Sequence, residues 1–458
     1  MSAPPVKNDR STIFGWTMYD WANSAYSTTI AGAILPAYFT GTVVPDAGYE
    51  IFGRTVDGQT LWAAVVGFGA FLLFLIMPVL GAIADFSASK KRFLVVFAYG
   101  GAVFSSVLFF MTQGDVMLTL GIFLLAQVGF VAANVFYDGF LPDITTPDTI
   151  DRVSARGFAL GYFGGGLQLL LGFLLISFHE SVGLSEAMAA RISIASAGIW
   201  WAFFSWYAFR YFRETGTAQE LPERYAGRPR ILAYVQLGYG RTLGTAKRLI
   251  KFKHLLWFLI AYMLYNDGVQ TTINMSSAYA DDTLGLETAT IGLAFLIVQF
   301  IAVGGALFFG RLADRYGTKE AILASLVIWS IIAVLAYFLP EGQALPFFGV
   351  AALIGLVLGG IQALSRSLYG SMIPEEASAE FYGFYSVFSK FSAMWGPLLF
   401  AVISGATGSG RPAILAIIVF FVAGFLVLLR VDIDAARRSK DLWVFAGAEA
   451  GVAEGDIG

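Results

Sequence analysis

The sequence predicts an all-α membrane protein in which twelve transmembrane helices form two pseudo-symmetric bundles of six, with both termini in the cytoplasm. Three observations lead to this prediction: a hydrophobic composition, twelve apolar stretches, and motifs that recur in both halves of the chain. Of the 458 residues, 57% are hydrophobic and 13% are charged. Soluble domains carry about 25% charged residues, so this chain has too few charges to cover a soluble surface.

Each apolar stretch has about the length that a helix needs to cross the hydrocarbon core, which is about 20 residues. The stretches are residues 14–39, 61–84, 92–112, 116–141, 155–178, 187–211, 255–280, 288–310, 320–339, 346–373, 382–405 and 412–430. The first stretch contains an acid and lacks a small-residue cleavage site. We therefore expect it to be retained rather than removed as a signal peptide.

The orientation is predicted from the basic residues, which accumulate on the cytoplasmic side of membrane proteins. Of the 29 Lys and Arg residues, 24 lie in or beside connections on the side of the N-terminus. Three lie on the other side, namely Arg54, Arg191 and Arg411, and Arg366 and Lys390 lie within stretches. Both termini are therefore predicted to face the cytoplasm.

The longest connection divides the stretches six and six. We predict a cytoplasmic N-terminus over 1–13, helix bundles over 14–211 and 255–430, a cytoplasmic linker over 212–254 and a cytoplasmic tail over 431–458. Within the linker, apolar residues recur near helical spacing from Ile231 to Ile250, with bases among them. This pattern favours a basic helix on the membrane surface, and a solvated linker is the alternative.

Four pairs of short motifs recur in the same order in the two halves. The pairs begin at Gly81 and Gly310, at Tyr137 and Tyr369, at Arg156 and Tyr382, and at Asn23 and Asn266. Each pair alone is weak evidence, because membrane helices use few residue types, but the shared order indicates a duplication. Transport sites in duplicated membrane proteins lie between the repeats near the middle of the bilayer.

The motif at Gly310, GRLADRYG followed by Lys, resembles the cytoplasmic loop motif of the major facilitator superfamily. The matching positions are Gly310, Asp314, Arg315 and Gly317. The copy in the first half retains Gly81, Asp85 and the bases Lys90, Lys91 and Arg92, but Phe86 stands where the family has arginine and the second glycine is lacking. The resemblance implies a gating role for both copies, in which each aspartate forms a cytoplasmic latch when the opposite side is open. The alternative is that these charges only determine topology.

Five further blocks resemble the vacuole-effluxer-like branch of that superfamily. They are YDWANSAYSTTI from Tyr19, FYDGFLPD from Phe136, GYFGGGL from Gly161, SRSLYGSMIPE from Ser365 and FYGFYSVFSK from Phe381. The resemblance implies the major facilitator fold and a secondary transporter that works by alternating access. It further implies efflux of amino acids, and we expect a multi-pass protein of a bacterial inner membrane.

Charges inside membrane helices are costly and therefore mark functional sites. Asp20, Asp138, Asp267, Arg366 and Lys390 lie within the first, fourth, seventh, tenth and eleventh stretches. The resemblance implies that these helices line the central cavity. Polar residues at helical spacing from these charges complete the candidate substrate and proton site: Tyr19, Asn23, Tyr26, Gln127, Asn134, Asn266 and Gln362.

Two interpretations of these charges remain open. In the first, Arg366 and Lys390 hold an anionic group such as a carboxylate, while Asp20 or Asp267 binds an ammonium group or carries a proton. In the second, the same charges pair with one another as structural ion pairs. The glycines of GYFGGG, at Gly161 and 164–166, indicate close helix packing rather than a nucleotide-binding loop.

Other functions are less compatible with the sequence. The chain has no cysteine and only two histidines, His179 and His254, so we expect no metal site, no cofactor and no enzyme activity. A net charge of −3 argues against nucleic acid as a partner. We expect a monomer that contacts a small solute, membrane lipids and protons.

Two alternative functions remain open. A lipid, amphiphile or drug exporter is one alternative, because the chain has 42 Phe. A non-transporting sensor or assembly factor is the alternative of another class.

Overall fold

The computed structural model describes residues 6–51, 53–215, 218–225, 227–440 and 442–443. In the first half, which we define as residues 10–209, the α-helices are α1 (Arg10–Ala25), α2 (Ile34–Tyr38), α3 (Gly58–Phe86), α4 (Lys90–Val107), α5 (Val116–Gly139), α6 (Leu141–Ile144), α7 (Ile150–Ser177) and α8 (Glu186–Phe209). A short antiparallel hairpin of β1 (Tyr49–Ile51) and β2 (Arg54–Val56) precedes α3. This hairpin was not predicted from the sequence.

The linker contains one long helix, α9 (Arg230–Leu249). In the second half, which we define as residues 253–440, the α-helices are α10 (Lys253–Ala278), α11 (Thr288–Tyr316), α12 (Thr318–Tyr337), α13 (Ala344–Met372), α14 (Ser378–Phe391), α15 (Trp395–Thr407), α16 (Gly410–Ala416), α17 (Ile418–Leu429) and α18 (Ile433–Lys440). The predicted all-helical class is therefore confirmed.

Among the described residues, ten helical segments are long and apolar enough to cross a membrane. They are Gly58–Phe86, Lys90–Phe110, Val116–Ile144, Ile150–Ser177, Glu186–Phe209, Thr288–Tyr316, Thr318–Tyr337, Ala344–Met372, Glu375–Thr407 and Gly410–Leu429. They coincide with ten of the twelve predicted stretches. The two remaining stretches, 14–39 and 255–280, are helical as well, but the first is divided by a π-helical segment (Tyr26–Ala33) and the second is rich in polar residues.

The long helices run alternately up and down. Helix α1 begins, and α3, α5, α8, α11, α13 and α17 end, at the same end of the bundle, which we call the termini end. The opposite end is called the loop end. Helix α9 lies at the termini end beside α3, where a Cβ atom on Gly238 would come within 2.8 Å of Ile83. The linker therefore packs on the bundle through the inner face of its helix.

Glycines bring α7 unusually close to α1. A Cβ atom at Gly161, Gly164 or Gly165 would lie 2.7–2.9 Å from an atom of α1. At Gly166 the nearest atom belongs to Gln299 of α11. The prediction that these glycines serve close helix packing is confirmed, and α7 is held between α1 and α11.

Candidate functional site

Arg366 on α13 joins the two halves through a buried polar cluster. Its guanidinium contacts Asp20 Oδ2 of α1 and Asp138 Oδ1 of α5, each at 3.2 Å. It also donates to the hydroxyl and the carbonyl oxygen of Ser154 on α7, both at 3.0 Å. Arg366 is only 4% exposed. Three helices of the first half therefore supply the hydrogen-bond acceptors for one side chain of the second half. The cluster closes the interface between the halves at the depth of Arg366.

Three aromatic rings surround the same guanidinium. Its central carbon lies 4.1 Å from the Phe158 ring centroid, 4.6 Å from Trp16 and 5.5 Å from Tyr137. The Trp16 indole donates to the Tyr137 carbonyl oxygen at 2.9 Å and stacks on the Tyr137 ring. Rings in this arrangement favour a cation. The surroundings of Arg366 are therefore already complete without a bound anion.

The depth of the cluster follows from helix geometry. Asp20 lies ten residues into α1 and Arg366 lies six residues before the end of α13. At 1.5 Å per residue these positions are about 9–15 Å inside the termini end. The cluster lies on the termini side of the middle of the bundle.

Lys390 and Asp267 lie outside this cluster. Among the described residues, no carboxylate lies within 4 Å of the Lys390 ammonium group, and no hydrogen bond is made by it. Asp267 is 2% exposed and accepts hydrogen bonds at Oδ1 from the Gly396 amide at 2.8 Å and from the Thr271 hydroxyl at 3.5 Å. The structure therefore separates one cation and one anion, on α14 and α10, from the paired charges around Arg366.

The remaining candidate residues form pairs between helices. Asn23 donates to Asn134 at 2.6 Å and Tyr26 donates to Gln127 at 2.8 Å, which joins α1 to α5. The Asn266 amide donates to the Ser392 hydroxyl at 2.5 Å, at the junction of α14 and α15. These contacts show that Asn23, Tyr26 and Asn266 each face a neighbouring helix.

Gln362 and Tyr19 differ from those pairs. Gln362 on α13 accepts from the Tyr162 hydroxyl of α7 at 2.6 Å, so this contact crosses between the halves. Tyr19 is fully buried between the Tyr137 and Phe209 rings, and its hydroxyl has no hydrogen-bond partner among the residues that the structure describes. Tyr19 therefore packs beside the cluster rather than taking part in it.

The first gating motif meets the start of α14. Asp85 accepts from the Glu380 amide at 2.8 Å and from the Ala379 amide at 3.3 Å. The positive end of a helix stabilises a carboxylate placed in this way. Gly81 permits the contact, because a Cβ atom there would lie 2.4 Å from the Ala379 carbonyl oxygen.

Lys90 connects this contact to α6 and α14. Its ammonium group lies 2.7 Å from Asp143 Oδ2, 2.7 Å from the Ser378 hydroxyl and 3.6 Å from Asp85 Oδ1. Lys91 and Arg92, the predicted bases of this motif, do not contact Asp85. Their amides bind Glu214, and the Lys91 ammonium group binds the Phe212 carbonyl oxygen at 2.7 Å.

The second gating motif makes a more exposed contact. Asp314 pairs with Arg152 of α7 at 2.9 Å, and these side chains are 27% and 54% exposed. Gly317 ends α11 with φ of 103°, and Arg315 lies beside the Tyr316 ring. A Cβ atom on Gly310 would lie 2.7 Å from Ala155, so α11 approaches α7 closely at this level.

Several buried residues at the termini end were not among the predicted site residues. Asp151 accepts from Thr318 at 2.6 Å and from Ser367, and Glu380 pairs with Arg241 of α9 at 2.9 Å. Ser154, Asp143 and Ser378 were also missed. Their position was the available signal, because they lie at helix starts or in short connections near the duplicated motifs. Charged residues at such places are otherwise interpreted only as indicators of membrane topology.

Hydrogen bonds between the halves are confined to one part of the molecule, although α7 and α11 pack together as far as the loop end, where a Cβ atom on Gly292 would lie 3.8 Å from Phe173. Within the described ranges, these hydrogen bonds extend from Arg152–Asp314 at the termini end to Tyr162–Gln362. Among the described residues, none of the recorded hydrogen bonds joins the halves at the loop end. The arrangement is that of a bundle closed at the termini end.

A family model described as "Vacuole effluxer Atg22 like" matches residues 8–441. A relative in Bacillus subtilis (strain 168), named "Uncharacterized MFS-type transporter YxiO", is 32% identical over 433 residues, which cover 93% of this chain and 97% of the relative. "Autophagy-related protein 22" of Coccidioides immitis is 24% identical over 544 residues, which cover 94% of this chain and 88% of the relative.

Solved structures share the fold at lower sequence identity. The major facilitator superfamily transporter FucP in its outward conformation superposes with a TM-score of 0.64, at 13% identity, over 92% of this chain and 98% of FucP. A bacterial homologue of the iron transporter ferroportin in an outward-facing state gives a TM-score of 0.63 at 12% identity, over 93% and 99% of the two chains. This likeness establishes the fold alone.

Proposed function

Because this chain belongs to the Atg22-like vacuole effluxer family of major facilitator transporters, we propose that it exports a small zwitterion, such as a neutral amino acid, by alternating access. Membership in this family makes the chain a multi-pass membrane protein and a secondary transporter rather than an enzyme. The zwitterion, the outward direction and coupling to protons are the parts that we propose. They rest on the charges inside the bundle.

The pair of unneutralised charges carries the proposal. Lys390 has no carboxylate partner among the described residues, and Asp267 has no cationic one. A zwitterion supplies a carboxylate for the first and an ammonium group for the second. Buried charges are retained only when they are paired, so a solute with both charges suits this site better than an apolar one.

Arg366 has a different role in this proposal. Its two carboxylate partners belong to the other half, so the contacts break when the halves separate at the termini end. Asp20 and Asp138 accept protons that arrive from the loop end before this separation, and they release them to water on the termini side once it has occurred. Their protonation weakens the hold on Arg366, which links proton movement to the opening of the gate.

The remaining predictions complete the proposed topology. We propose that stretches 14–39 and 255–280 also cross the membrane, giving twelve helices in bundles 14–211 and 255–430. The linker 212–254 and both termini then lie in the cytoplasm of a bacterium, and the protein acts as a monomer in the inner membrane. Most of the tail 431–458, from residue 444 onward, lies outside the described residues.

Counterflow in proteoliposomes tests the substrate class. Vesicles are loaded with a neutral amino acid, with its analogue lacking the amino group, or with its analogue lacking the carboxylate, and uptake of the labelled amino acid is followed with and without a pH gradient. We expect saturable exchange with the intact amino acid alone. Lys390→Gln and Asp267→Asn should abolish it, whereas Arg54→Gln, a change at an exposed base near the loop end, should not.

Two results would contradict the proposal. Equal exchange of the analogue lacking the amino group, unaffected by Asp267→Asn, would indicate an organic anion as substrate. Absence of exchange with any amino acid, in protein shown to be folded, would leave the export of an amphiphile as the better account.

A further inference from the structure

A cleft at the termini end separates the linker helix from the first half. It lies on the outer surface of the bundle between α3, α4 and α9. Its lining residues are Ile83, Ser87, Ser89, Arg92, Phe93, Ile231, Tyr234 and Val235. None of them belongs to the central cluster around Arg366.

The cleft has one polar end and one apolar end. Ser87 and Ser89, whose hydroxyls bind each other, lie in the turn between α3 and α4, and the exposed Arg92 follows them. Ile83 precedes Ser87 by one turn of α3 and Phe93 follows Ser89 by one turn of α4, so both lie about 5 Å deeper than the serine turn. Arg92 directly precedes Phe93 on α4, but its long side chain is exposed and carries the charge to the surface, above the apolar side chains.

Arg92 is available for a ligand. Its backbone amide binds Glu214, but within the described part of the chain its guanidinium makes no hydrogen bond or ion pair. A guanidinium recognises a phosphate diester through paired N–H groups. The Ser87 hydroxyl donates to the Ile83 carbonyl oxygen at 2.7 Å and binds the Ser89 hydroxyl, so the serines form a polar edge and Arg92 supplies the donors.

The outer face of α9, like the cleft, combines apolar side chains with nearby basic residues. Ile231, Leu243 and Ile250 are 81%, 62% and 67% exposed, and the chain that continues from α9 carries exposed Lys251 and Lys253. A helix with exposed apolar residues and neighbouring bases lies in the interface of an anionic membrane. The surface that surrounds the cleft is thus suited to negatively charged lipid.

We propose that the cleft binds one anionic phospholipid, with its phosphate at Arg92 and its acyl chains against Phe93 and Val235. A free phosphate ion would leave the apolar walls exposed to water, whereas a phospholipid covers them. The charge of Arg92 distinguishes an anionic headgroup from a zwitterionic one.

Binding of lipid in this cleft affects the gate, because α9 contacts both halves. Gly238 packs on Ile83 of α3, and Arg241 pairs with the buried carboxylate of Glu380 on α14 at 2.9 Å. A lipid that bridges α4 and α9 keeps α9 against α3 and therefore keeps Arg241 at Glu380. The anionic lipid favours the state that is closed at the termini end.

Lipid retention by the purified full-length protein tests the proposal. The protein is exchanged into micelles that contain equal amounts of phosphatidylglycerol and phosphatidylcholine, and the retained lipid is counted by native mass spectrometry. We expect the parent to retain phosphatidylglycerol preferentially. Arg92→Gln should reduce that preference about fivefold, which is the effect of one base near an anionic lipid surface.

Two controls keep the test decisive. Arg54→Gln removes an equally exposed base near the loop end and should leave the preference unchanged. Val235→Gln alters only the apolar wall and should lower phosphatidylglycerol retention without any change in charge, which provides a second test if Arg92→Gln does not fold. In vesicles, phosphatidylglycerol should slow hydrogen exchange of residues 230–249 relative to phosphatidylcholine alone.

The proposal is overturned if Arg92→Gln and the parent retain the two lipids in the same ratio. It is equally overturned if Arg54→Gln reduces the preference as much as Arg92→Gln does, because the effect would then be one of overall charge.

Discussion

Arg366 and Lys390 are both cations within membrane helices, but their surroundings assign them different tasks. Arg366 is enclosed by Asp20, Asp138 and Ser154, all from the other half. Lys390 has no such partners among the described residues. The first residue is therefore part of the interface between the halves, and the second is part of the proposed binding site.

Substitution of each cation should separate these roles. Arg366→Gln leaves two buried carboxylates without a cation, and loss of one partner of a buried ion pair costs about 3–5 kcal/mol. We expect a clear loss of thermal stability in detergent together with loss of counterflow. Lys390→Gln should abolish counterflow while the unfolding temperature stays within a few degrees of the parent. A similar loss of stability in both variants would contradict this assignment.

The two gating aspartates should also differ in their effects. The side chain of Asp85 is fully buried and binds two amides at the start of α14, whereas Asp314 forms a partly exposed pair with Arg152. Exposed ion pairs contribute only about 0–1 kcal/mol, so Asp314→Asn should change stability little. Asp85→Asn should destabilise the closed termini end more, measured as faster labelling of a cysteine placed at buried Ala155, which faces Gly310 of the other half. Equal labelling rates in the two variants would contradict this expectation.

The sequence identified most of the central charges but not their pairing. The cost of placing Asp20, Asp138 and Arg366 in membrane helices was enough to select them. Which carboxylate meets which cation depends on how helices of different halves approach one another, and spacing within one helix carries no such information. The contact between Arg366 and Ser154 was therefore missed. Asn134 corresponds to Arg366 by the offset between the motifs at Tyr137 and Tyr369, but it binds Asn23 of its own half.

At the scale of helices, the contact of α3 with α14 controls the termini end. Gly81 lies against the backbone of Ala379 and Glu380, at distances too short for a side chain. Adding one methyl group there forces the two helices apart. Insertion of a methyl group into a packed contact costs about 1–3 kcal/mol.

Gly81→Ala should therefore favour a state that is open at the termini end. We expect faster labelling of the Ala155→Cys reporter in this variant than in the parent background. Gly67→Ala is the matched control, because Gly67 lies on the same helix and a Cβ atom there meets no atom within 4 Å. Labelling that is equally fast in both glycine variants would show that α3 is not part of the gate.

Apolar length was a good predictor of these helices, and irregular backbone was not predictable. Ten stretches correspond to long apolar helices, because the need to satisfy backbone hydrogen bonds in lipid imposes a helix on such runs. The π-helical segment after α1 and the hairpin before α3 depend on tertiary packing. Periodicity in the sequence contains no signal for either.

At the scale of the whole molecule, the duplication seen in the sequence corresponds to a functional asymmetry. The motifs at Asp85 and Asp314 occupy related positions, but one is buried under α14 and the other pairs at the surface. Together with the cluster around Arg366 they hold the halves together from the termini end inward. Alternating access requires that all of these contacts break in one concerted movement.

The distance between the halves at the termini end tests this account most directly. The chain has no cysteine, so Asp148→Cys and Tyr316→Cys, both at exposed positions, give one spin-label pair across the Arg152–Asp314 contact. Double electron–electron resonance in proteoliposomes should show a short distance in the absence of solute. A second, longer distance should become populated when an exchanged amino acid is added or when Gly81→Ala is introduced. A single distance that neither the solute nor the glycine variant changes, in protein that performs counterflow, would contradict the account.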